Sequence, residues 1–397
     1  MRYNFETINT RYHTGSKKWS EMRDFIPDIG EGYVPFSVAD MELETAPEIR
    51  EALKTYIDEY VLGYANPTPA FKDSVVGWMK RRHGWDIKPE WIIGTHGVIS
   101  AFYNAIKIYT RPGEGVMLMT PVYYPMYNGI KNNNRLLVDN PLVNRGGRYE
   151  IDFDDFEAKA RDANTKLLIL CSPHNPTSRV WTREELERIG RICIDNGVLI
   201  CSDEIHFDLV MPGHKHTVFA DISPEFADNC VMCTAPSKTF NLAGLQTSSV
   251  VISNEKLRAR YMEELLKDEA NPKCNVLGYV ANQAAYDKCA DWLDQAILLI
   301  DGNRRLVEDF MARTYPEVIV TKMEGTYLQW LDFNPLGIDY KELAQLLRVE
   351  AKLFFDDGYI FGAQGEGFER WNLACPRSYV EQGLERLKVA LDKRLKK

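Results

Sequence analysis

The chain has 397 residues, of which 45% are hydrophobic and 26% are charged, and its formal net charge at pH 7 is -9. This composition is typical of a globular protein with two domains, or with one large domain and a smaller one, and not of a disordered chain. The acidic balance, without any cluster of Lys and Arg interleaved with aromatic residues, argues against nucleic acid as a partner.

The N-terminal segment 1–6 lacks the apolar core and the cleavage site of a signal peptide, and no stretch approaches 18 uninterrupted apolar residues. We therefore expect a soluble, cytoplasmic protein without membrane contact. Eight cysteines are spread through apolar segments, which favours buried free thiols over a disulfide framework. Cys230 and Cys233 have CxxC spacing, but no second pair accompanies them, so we predict no metal site.

Strand and helix patterns alternate through the first two thirds of the chain. A capping-box pattern at 182–185 predicts the start of a helix that ends near residue 196, and 45–48 predicts another helix, with an apolar stripe over 49–60. Five short, continuous apolar runs predict strands that are buried on both faces of a largely parallel sheet. These runs are 116–120, 166–172, 198–202, 230–234 and 249–253.

The pattern changes after about residue 290. Long helical stretches lead into two alternating segments, 318–322 and 326–332, which predict an antiparallel hairpin. A helical pattern over 340–350, a strand-like segment over 370–374 and a C-terminal helix follow.

These patterns predict an α/β fold with two domains. We expect a large α/β domain with a mainly parallel sheet at 47–290, and a small α+β domain formed by the N-terminal arm 1–46 together with 291–397.

Side chains capable of chemistry follow four of the predicted strands. Because an open α/β sheet binds its ligands beyond the carboxyl ends of its strands, these side chains should meet at one edge. They are Tyr123, Tyr124, Asn175, Asp203, His206 and Lys238. Lys238 follows a buried strand, where an ammonium is costly unless it finds a partner or loses its charge; the alternative is a solvated loop lysine.

Several short blocks, spread over nearly the whole chain, match one known family in the same order. The blocks are 38–41, 62–64, 121–125, 172–177, 179–181, 202–208, 235–244 and 367–370 with Asn372. The sequence resembles the fold-type-I aminotransferase superfamily (class I/II), whose members use pyridoxal 5′-phosphate. Within it, the chain is most similar to the cystathionine β-lyase or C-S lyase branch called MalY/PatB, which includes the cystalysins.

The resemblance implies a role for each residue around the cofactor ring. Lys238 matches the lysine that forms a Schiff base with the cofactor and then moves the substrate Cα proton. Asp203 matches the partner of the pyridinium nitrogen, Asn175 the hydrogen-bond donor to the ring oxygen, and Tyr123 the stacking aromatic ring. His206 lies near the same edge. The alternatives are a turn cap for Asp203, a turn starter for Asn175, and core residues for Tyr123 and His206.

The resemblance also implies a phosphate site and a subunit contact. Gly97 and Val98 match the phosphate loop at a helix N-terminus, with Ser237 as a further candidate. Tyr64 resembles the tyrosine that reaches the phosphate from the other subunit, which implies a homodimer.

Two further residues match positions that act on the substrate, and one position departs from the family. Arg370 is the candidate for binding the substrate α-carboxylate, and the Tyr124 hydroxyl for protonating a leaving thiolate. Where this branch normally has Gly, the chain has Ser178. If this position requires a positive φ, we expect strain of about 1 to 2 kcal/mol there, and a gain in stability or cofactor affinity when Gly is restored.

The reaction that the resemblance implies is carbon-sulfur β-elimination. L-cystathionine, L-cysteine or a related cysteine S-conjugate would yield pyruvate, ammonia and a thiol. The alternative is an aminotransferase, which shares every cofactor contact, and only the closeness to the lyase branch favours the first reaction. A third possibility is a cofactor-binding protein that also contacts a transcription regulator. The group beyond the sulfur depends on pocket shape, which the motifs do not define.

Overall fold

A computed structural model of the chain describes residues 2–268 and 274–396. The helices are α1 (Lys17–Phe25), α2 (Pro47–Glu59), α3 (Pro69–Trp78), α4 (Val98–Tyr109), α5 (Tyr124–Asn132), α6 (Phe153–Ala160), α7 (Arg183–Asp195), α8 (Pro224–Asp228), α9 (Pro236–Thr239), α10 (Glu255–Asp268), α11 (Val276–Lys288), α12 (Ala290–Thr314), α13 (Tyr340–Gln345) and α14 (Arg377–Leu395). The strands are β1 (Val34–Pro35), β2 (Ile92–Thr95), β3 (Gly115–Thr120), β4 (Leu136–Pro141), β5 (Val143–Arg145), β6 (Arg148–Glu150), β7 (Thr165–Cys171), β8 (Leu199–Asp203), β9 (Cys230–Thr234), β10 (Ser248–Val251), β11 (Ile319–Val320), β12 (Leu328–Asp332), β13 (Leu353–Phe354), β14 (Asp356–Asp357) and β15 (Phe368–Asn372).

A seven-stranded sheet forms the centre of the large α/β layer structure. Its strand order is β2-β10-β9-β8-β7-β3-β4, and β10 alone runs antiparallel to its neighbours. The predicted α/β fold and its largely parallel sheet are therefore confirmed. The strands β2 and β4 complete the sheet and were not among the predicted strands.

The strands in the middle of this sheet, such as β3, β7 and β9, are mostly apolar and buried because helices cover both faces. In β3, Val116 and Leu118 face one buried cluster with residues of α4, whereas Met117 and Met119 face a second cluster with residues of α7. Successive side chains in a strand point to opposite faces, so a strand between two helical layers needs apolar residues at every position.

One of the two predicted capping boxes is present. Thr182 caps α7, with its side chain accepting from the backbone N-H of Glu185 and the Glu185 side chain accepting in return. The prediction of a box at Thr45 is wrong, because α2 begins at Pro47 with Ala46 as its N-cap and without a side-chain cap. Proline at the first helical position already has the right φ and no N-H to satisfy.

A four-stranded antiparallel sheet forms a second layer, in the order β11-β12-β15-β14. The predicted hairpin is present as the pair β11 and β12, and α12 packs against α14. A short parallel pair, β1 with β13, joins the N-terminal arm to this part of the chain. The domain boundaries at 46/47 and 290/291 stay a prediction.

Three further features concern the cysteines, candidate metal ligands and the length of the helices. All eight cysteines are buried free thiols. Within residues 2–268 and 274–396, no group of three His, Cys, Asp or Glu side chains is placed to hold a metal ion. None of the helices in these ranges combines the length and apolar character needed to cross a membrane.

Ser178 joins the two sheets and has a φ of 57°, so this position does require the left-handed conformation. Its carbonyl accepts hydrogen bonds from the backbone N-H groups of Glu324 and Gly325, both at 3.0 Å. Its hydroxyl donates to the carbonyl oxygen of Leu328 in β12 and lies 3.2 Å from Oγ1 of Thr326. The hydroxyl therefore offsets part of the backbone strain, so restoring Gly at this position would remove a hydrogen bond together with the strain.

We predict that Ser178→Gly changes stability little, whereas Ser178→Ala destabilises the protein. Glycine relieves about 1 to 2 kcal/mol of strain but loses a buried hydrogen bond worth about 0.5 to 1.5 kcal/mol. Alanine keeps the strain and loses the bond. Melting temperatures of the three proteins should therefore rank alanine lowest, with glycine close to the wild type. An alanine variant as stable as the glycine variant would contradict this account.

Candidate active site

All the residues predicted at the strand ends except Tyr124 line one cavity of about 450 Å³ at the carboxyl edge of the seven-stranded sheet. The predicted residues that line it are Gly97, Val98, Tyr123, Asn175, Asp203, His206, Ser237 and Lys238. They come from the segments that follow β2, β3, β7, β8 and β9, and from the last residue of β8. The parallel strands therefore bring together side chains that are far apart in sequence.

Lys238 lies inside this cavity, on the short helix α9 directly after β9. Its Nζ donates a hydrogen bond to the carbonyl oxygen of Ala39 at 2.6 Å. Burial lowers the pKa of the Lys238 amine to about 8, although the nearby carboxylates of Asp40 and Asp203 act in the opposite direction. A substantial fraction of the amine is therefore neutral near physiological pH, and the neutral form is the nucleophile.

Asp203 ends β8, and His206 follows it in the next turn. Asp203 Oδ1 accepts from the backbone N-H of Ile205 at 3.2 Å, so the residue also stabilises the turn. Burial raises the pKa of the Asp203 carboxyl to about 7, although Lys238 lowers it. Burial also holds the pKa of His206 well below its usual range, and its Nδ1 is buried without a partner among the described residues.

The guanidinium of Arg370 is held by two oxygens. Its Nη1 donates to Oδ1 of Asn175 at 2.9 Å, and its Nη2 donates to Oδ2 of Asp356. Its Nε is buried and has no partner in the described part of the chain. Arg370 does not line the cavity itself, but it lies behind Asn175, which does. The geometry presents a fixed cation beside the cavity.

Gly97 and Val98 form the N-terminus of α4, which points at the cavity. Gly97 is the N-cap residue with a φ of 88°, a conformation that glycine adopts without strain. The first N-H groups of a helix have no partner within the helix, and the helix dipole favours an anion there. Ser237, in the first turn of α9, is buried at the same cavity.

Tyr123 and Tyr124 lie side by side at the start of α5, with ring centroids 5.3 Å apart. Tyr123 lines the cavity and Tyr124 lies beyond it, against a neighbouring cavity. Burial raises the pKa of both phenols, and for Tyr124 the ammonium of Lys17 acts against this rise. Both hydroxyls therefore carry their protons at neutral pH.

Three residues at the site were not predicted from the sequence. Ala39 supplies a backbone carbonyl to Lys238, Asp356 holds Arg370, and Lys17 of α1 lines the cavity. The block 38–41 was recognised as part of the family pattern, but a backbone acceptor has no side-chain signal. Asp356 and Lys17 come from distant segments, and no local motif indicates their contacts.

Tyr64 does not line the cavity of its own chain. Its side chain is fully exposed, and its neighbours Val61 and Leu62 are 86% and 60% exposed. On α2, the predicted apolar stripe buries Ile49 but leaves Ile57 exposed. This surface is unusually apolar for a protein without a partner.

Known proteins resemble this chain over nearly its whole length. A family model described as aminotransferase class I and II matches residues 31–387. Cystathionine beta-lyase PatB from Bacillus subtilis (strain 168) is 40% identical over 390 residues, which are 98% of this chain and 100% of that protein. Protein MalY from Escherichia coli (strain K12) is 31% identical over 383 residues, which are 96% of this chain and 97% of that protein.

A solved structure gives the same result. The crystal structure of cystalysin from Treponema denticola, which contains a pyridoxal 5′-phosphate cofactor, matches with a TM-score of 0.96 and 46% sequence identity. The match covers 99% of this chain and 100% of that chain. The resemblance inferred from the sequence blocks is confirmed.

Proposed function

Because the chain belongs to the aminotransferase class I and II family, we propose that it is a pyridoxal 5′-phosphate-dependent carbon-sulfur β-lyase. It cleaves L-cystathionine, L-cysteine or a related cysteine S-conjugate to pyruvate, ammonia and a thiol. The observation that carries this proposal is the likeness, over at least 98% of both chains, to cystathionine beta-lyase PatB and to cystalysin.

The residues at the cavity fit pyridoxal phosphate. Asp203 is a buried carboxyl with few donors around it, which suits a protonated ring nitrogen. The N-terminus of α4 at Gly97 suits a phosphate, and the buried Ser237 hydroxyl lies at the same cavity. The ring of Tyr123 offers a stacking surface, and Lys238 is the residue that holds the cofactor covalently. A phosphate, a cationic ring nitrogen and an aldehyde thus each have a chemical counterpart.

When bound, the cofactor supplies an electron sink for the negative charge that develops at the substrate Cα. Asp203 keeps the proton on the ring nitrogen, because a carboxylate in this buried position gains most from a cationic partner. Asn175 Oδ1 is engaged by Arg370, so its amide nitrogen remains to donate to the ring oxygen. His206 packs at the same edge of the cavity.

Lys238 and Tyr124 move protons at the substrate. The Lys238 amine takes the proton from Cα, for which a pKa of about 8 is well matched near neutral pH. Tyr124 keeps its phenolic proton and delivers it to the sulfur that leaves from Cβ. Arg370 orients the substrate by binding its α-carboxylate, with the unpaired Nε as the free donor.

We also propose that the active enzyme is a homodimer in which Tyr64 reaches the phosphate of the partner subunit. The exposed apolar side chains around Tyr64 support this assembly, since such surfaces usually become buried. The buried free cysteines support a reducing compartment, such as the cytoplasm, as the place of action.

The proposed reaction predicts that the cofactor-loaded protein cleaves L-cystathionine without any keto acid. Pyruvate, ammonia and free thiol should form in equal amounts over many turnovers, because β-elimination needs no amino acceptor. The three products can be quantified in one time course. Amino transfer that depends on an added keto acid, without pyruvate formation, would place the protein among the aminotransferases instead.

Covalent capture of pyridoxal phosphate by the apoprotein should depend on Lys238 and on pH. The lowered pKa means that the neutral amine is half formed at about pH 8 instead of 10.5, so the capture rate should rise with pH and level off above about 8. Borohydride reduction followed by peptide mass spectrometry should place the cofactor on Lys238.

Two variants serve as a matched pair for this experiment. Lys238→Ala should show no covalent attachment, whereas Lys17→Ala, which changes another lysine of the same cavity, should keep it. A rate that keeps climbing toward pH 10.5 would show that the amine is not perturbed.

Mixed dimers test the contribution of Tyr64. When Tyr64→Ala and Lys238→Ala chains are combined with different tags, a heterodimer has one intact site if Tyr64 acts across the interface. The purified heterodimer should then show about half of the wild-type activity. If Tyr64 acts within its own chain, the heterodimer will reach only half of the activity of the Tyr64→Ala homodimer.

A further inference from the structure

A second cavity of about 360 Å³ adjoins the active site on the far side of Tyr124. Its volume lies within the range of about 300 to 1,000 Å³ that is usual for small-molecule sites. Tyr124 and Asp356, which line it, also belong to the active-site neighbourhood, since Tyr124 contacts Tyr123 and Asp356 holds Arg370. Tyr124 and Asp356 therefore connect the second cavity with residues of the active site.

Helix α1 borders both cavities. Lys17 lines the cofactor cavity, and Glu21, one turn later, lines the second cavity. Their side chains form an ion pair of 3.3 Å. The two cavities are thus separated by one helical turn and one phenol ring, a short distance for a thioether side chain.

The second cavity carries an excess of negative charge. Four carboxylates line it, from Glu21, Asp24, Asp356 and Asp357, against the single guanidinium of Arg348. Arg348 pairs with Asp357, Arg370 pairs with Asp356, and Lys17 pairs with Glu21. Asp24 remains as a carboxylate without an ion-pair partner among the described residues.

A buried hydroxyl provides an independent sign of a ligand. Ser37 lines the cavity, is only 6% exposed, and its Oγ has no hydrogen-bond partner within residues 2–268 and 274–396. An unpaired buried hydroxyl costs free energy, so such groups usually have a partner in the working state of a protein. The rings of Phe25, Phe355 and Tyr124 line the same space and suit a thioether sulfur and its methylenes.

We propose that this second cavity binds the distal end of the substrate, and that it selects thioether amino acids with an ammonium group there. Asp24 faces the ammonium, the Ser37 hydroxyl accepts from it, and the aromatic walls hold the chain between the sulfur and the ammonium. This inference rests on the proposed lyase function and specifies its substrate class.

Three substrates of matched length test the proposal. L-cystathionine carries a distal ammonium and a distal carboxylate, S-(3-aminopropyl)-L-cysteine keeps only the ammonium, and S-(3-carboxypropyl)-L-cysteine keeps only the carboxylate. We expect kcat/KM for the aminopropyl compound to lie within about threefold of that for cystathionine, and kcat/KM for the carboxypropyl compound to be about tenfold lower. Equal values for the two analogues, or the reverse order, would overturn the proposal.

Variants at Asp24 and Ser37 test whether these two residues cause the preference for a distal ammonium. Asp24→Asn and Ser37→Ala should each lower the ratio of kcat/KM between the aminopropyl and carboxypropyl substrates by about threefold to fivefold. Asp28→Asn, which changes an exposed carboxylate outside the cavity, should leave the ratio unchanged. The ratio is insensitive to a general loss of active enzyme, and a ratio unmoved in both variants would contradict the assignment.

The same assays distinguish failure of the distal subsite from failure of the lyase function. Cleavage of all three compounds without preference would overturn the distal subsite and leave the lyase function standing. If none of the three is cleaved, the lyase function fails and the distal subsite fails with it.

Discussion

The hydrogen bond from Lys238 Nζ to the carbonyl oxygen of Ala39 sets the position of the reactive amine. Ala39 follows Val38, whose φ of 55° is costly for a β-branched residue and persists only under outside restraint. That restraint comes from Asp356, which accepts the Val38 N-H at 3.0 Å, and from Asn372, which donates to the Val38 carbonyl at 2.8 Å. These two residues lie on β14 and β15. The four-stranded sheet therefore fixes the carbonyl that binds the Lys238 amine, whereas Lys238 itself follows a strand of the seven-stranded sheet.

An anionic Asp40, which two cations hold in place next to Ala39, attracts the Lys238 ammonium. Arg11 binds both carboxylate oxygens of Asp40 at 2.9 Å, and Lys18 lies 3.3 Å from Asp40 Oδ1. Burial alone would raise the pKa of Asp40, but Lys18 and Arg11 lower it to about 2. Asp40 thus remains an anion near Lys238 and raises the pKa of its amine. The burial of Lys238 lowers this pKa by more, so the net shift is downward. Removing one partner would leave an uncompensated buried charge, which is strongly destabilising.

The sequence predicted the strand-end residues well because continuous apolar runs show where buried strands stop. Asp203 and Lys238 are placed by that pattern alone, without knowledge of the partners they contact. Periodicity does not show strand direction, so it did not show that β10 is antiparallel. Nor does it show what covers an apolar stripe, and on α2 much of the stripe is exposed. Contacts such as Ala39 with Lys238 join residues about 200 positions apart, where local patterns carry no information.

In the proposed mechanism, Arg370 connects the residue that binds the substrate carboxylate with a residue that binds the cofactor, because it contacts Asn175 directly. It stands directly opposite Asp356 in the antiparallel pair of β14 and β15, and its other arm reaches Asn175 beyond β7. A guanidinium held at two nitrogens loses little entropy when the third binds a carboxylate, because its plane is already oriented. The amide of Asn175 is oriented by the same bond. A shift of β14 and β15 against the seven-stranded sheet would therefore rotate the Arg370 guanidinium and the Asn175 amide together. Under the proposed mechanism, the alignment of the substrate Cα proton with Lys238 then depends on how the two sheets are packed.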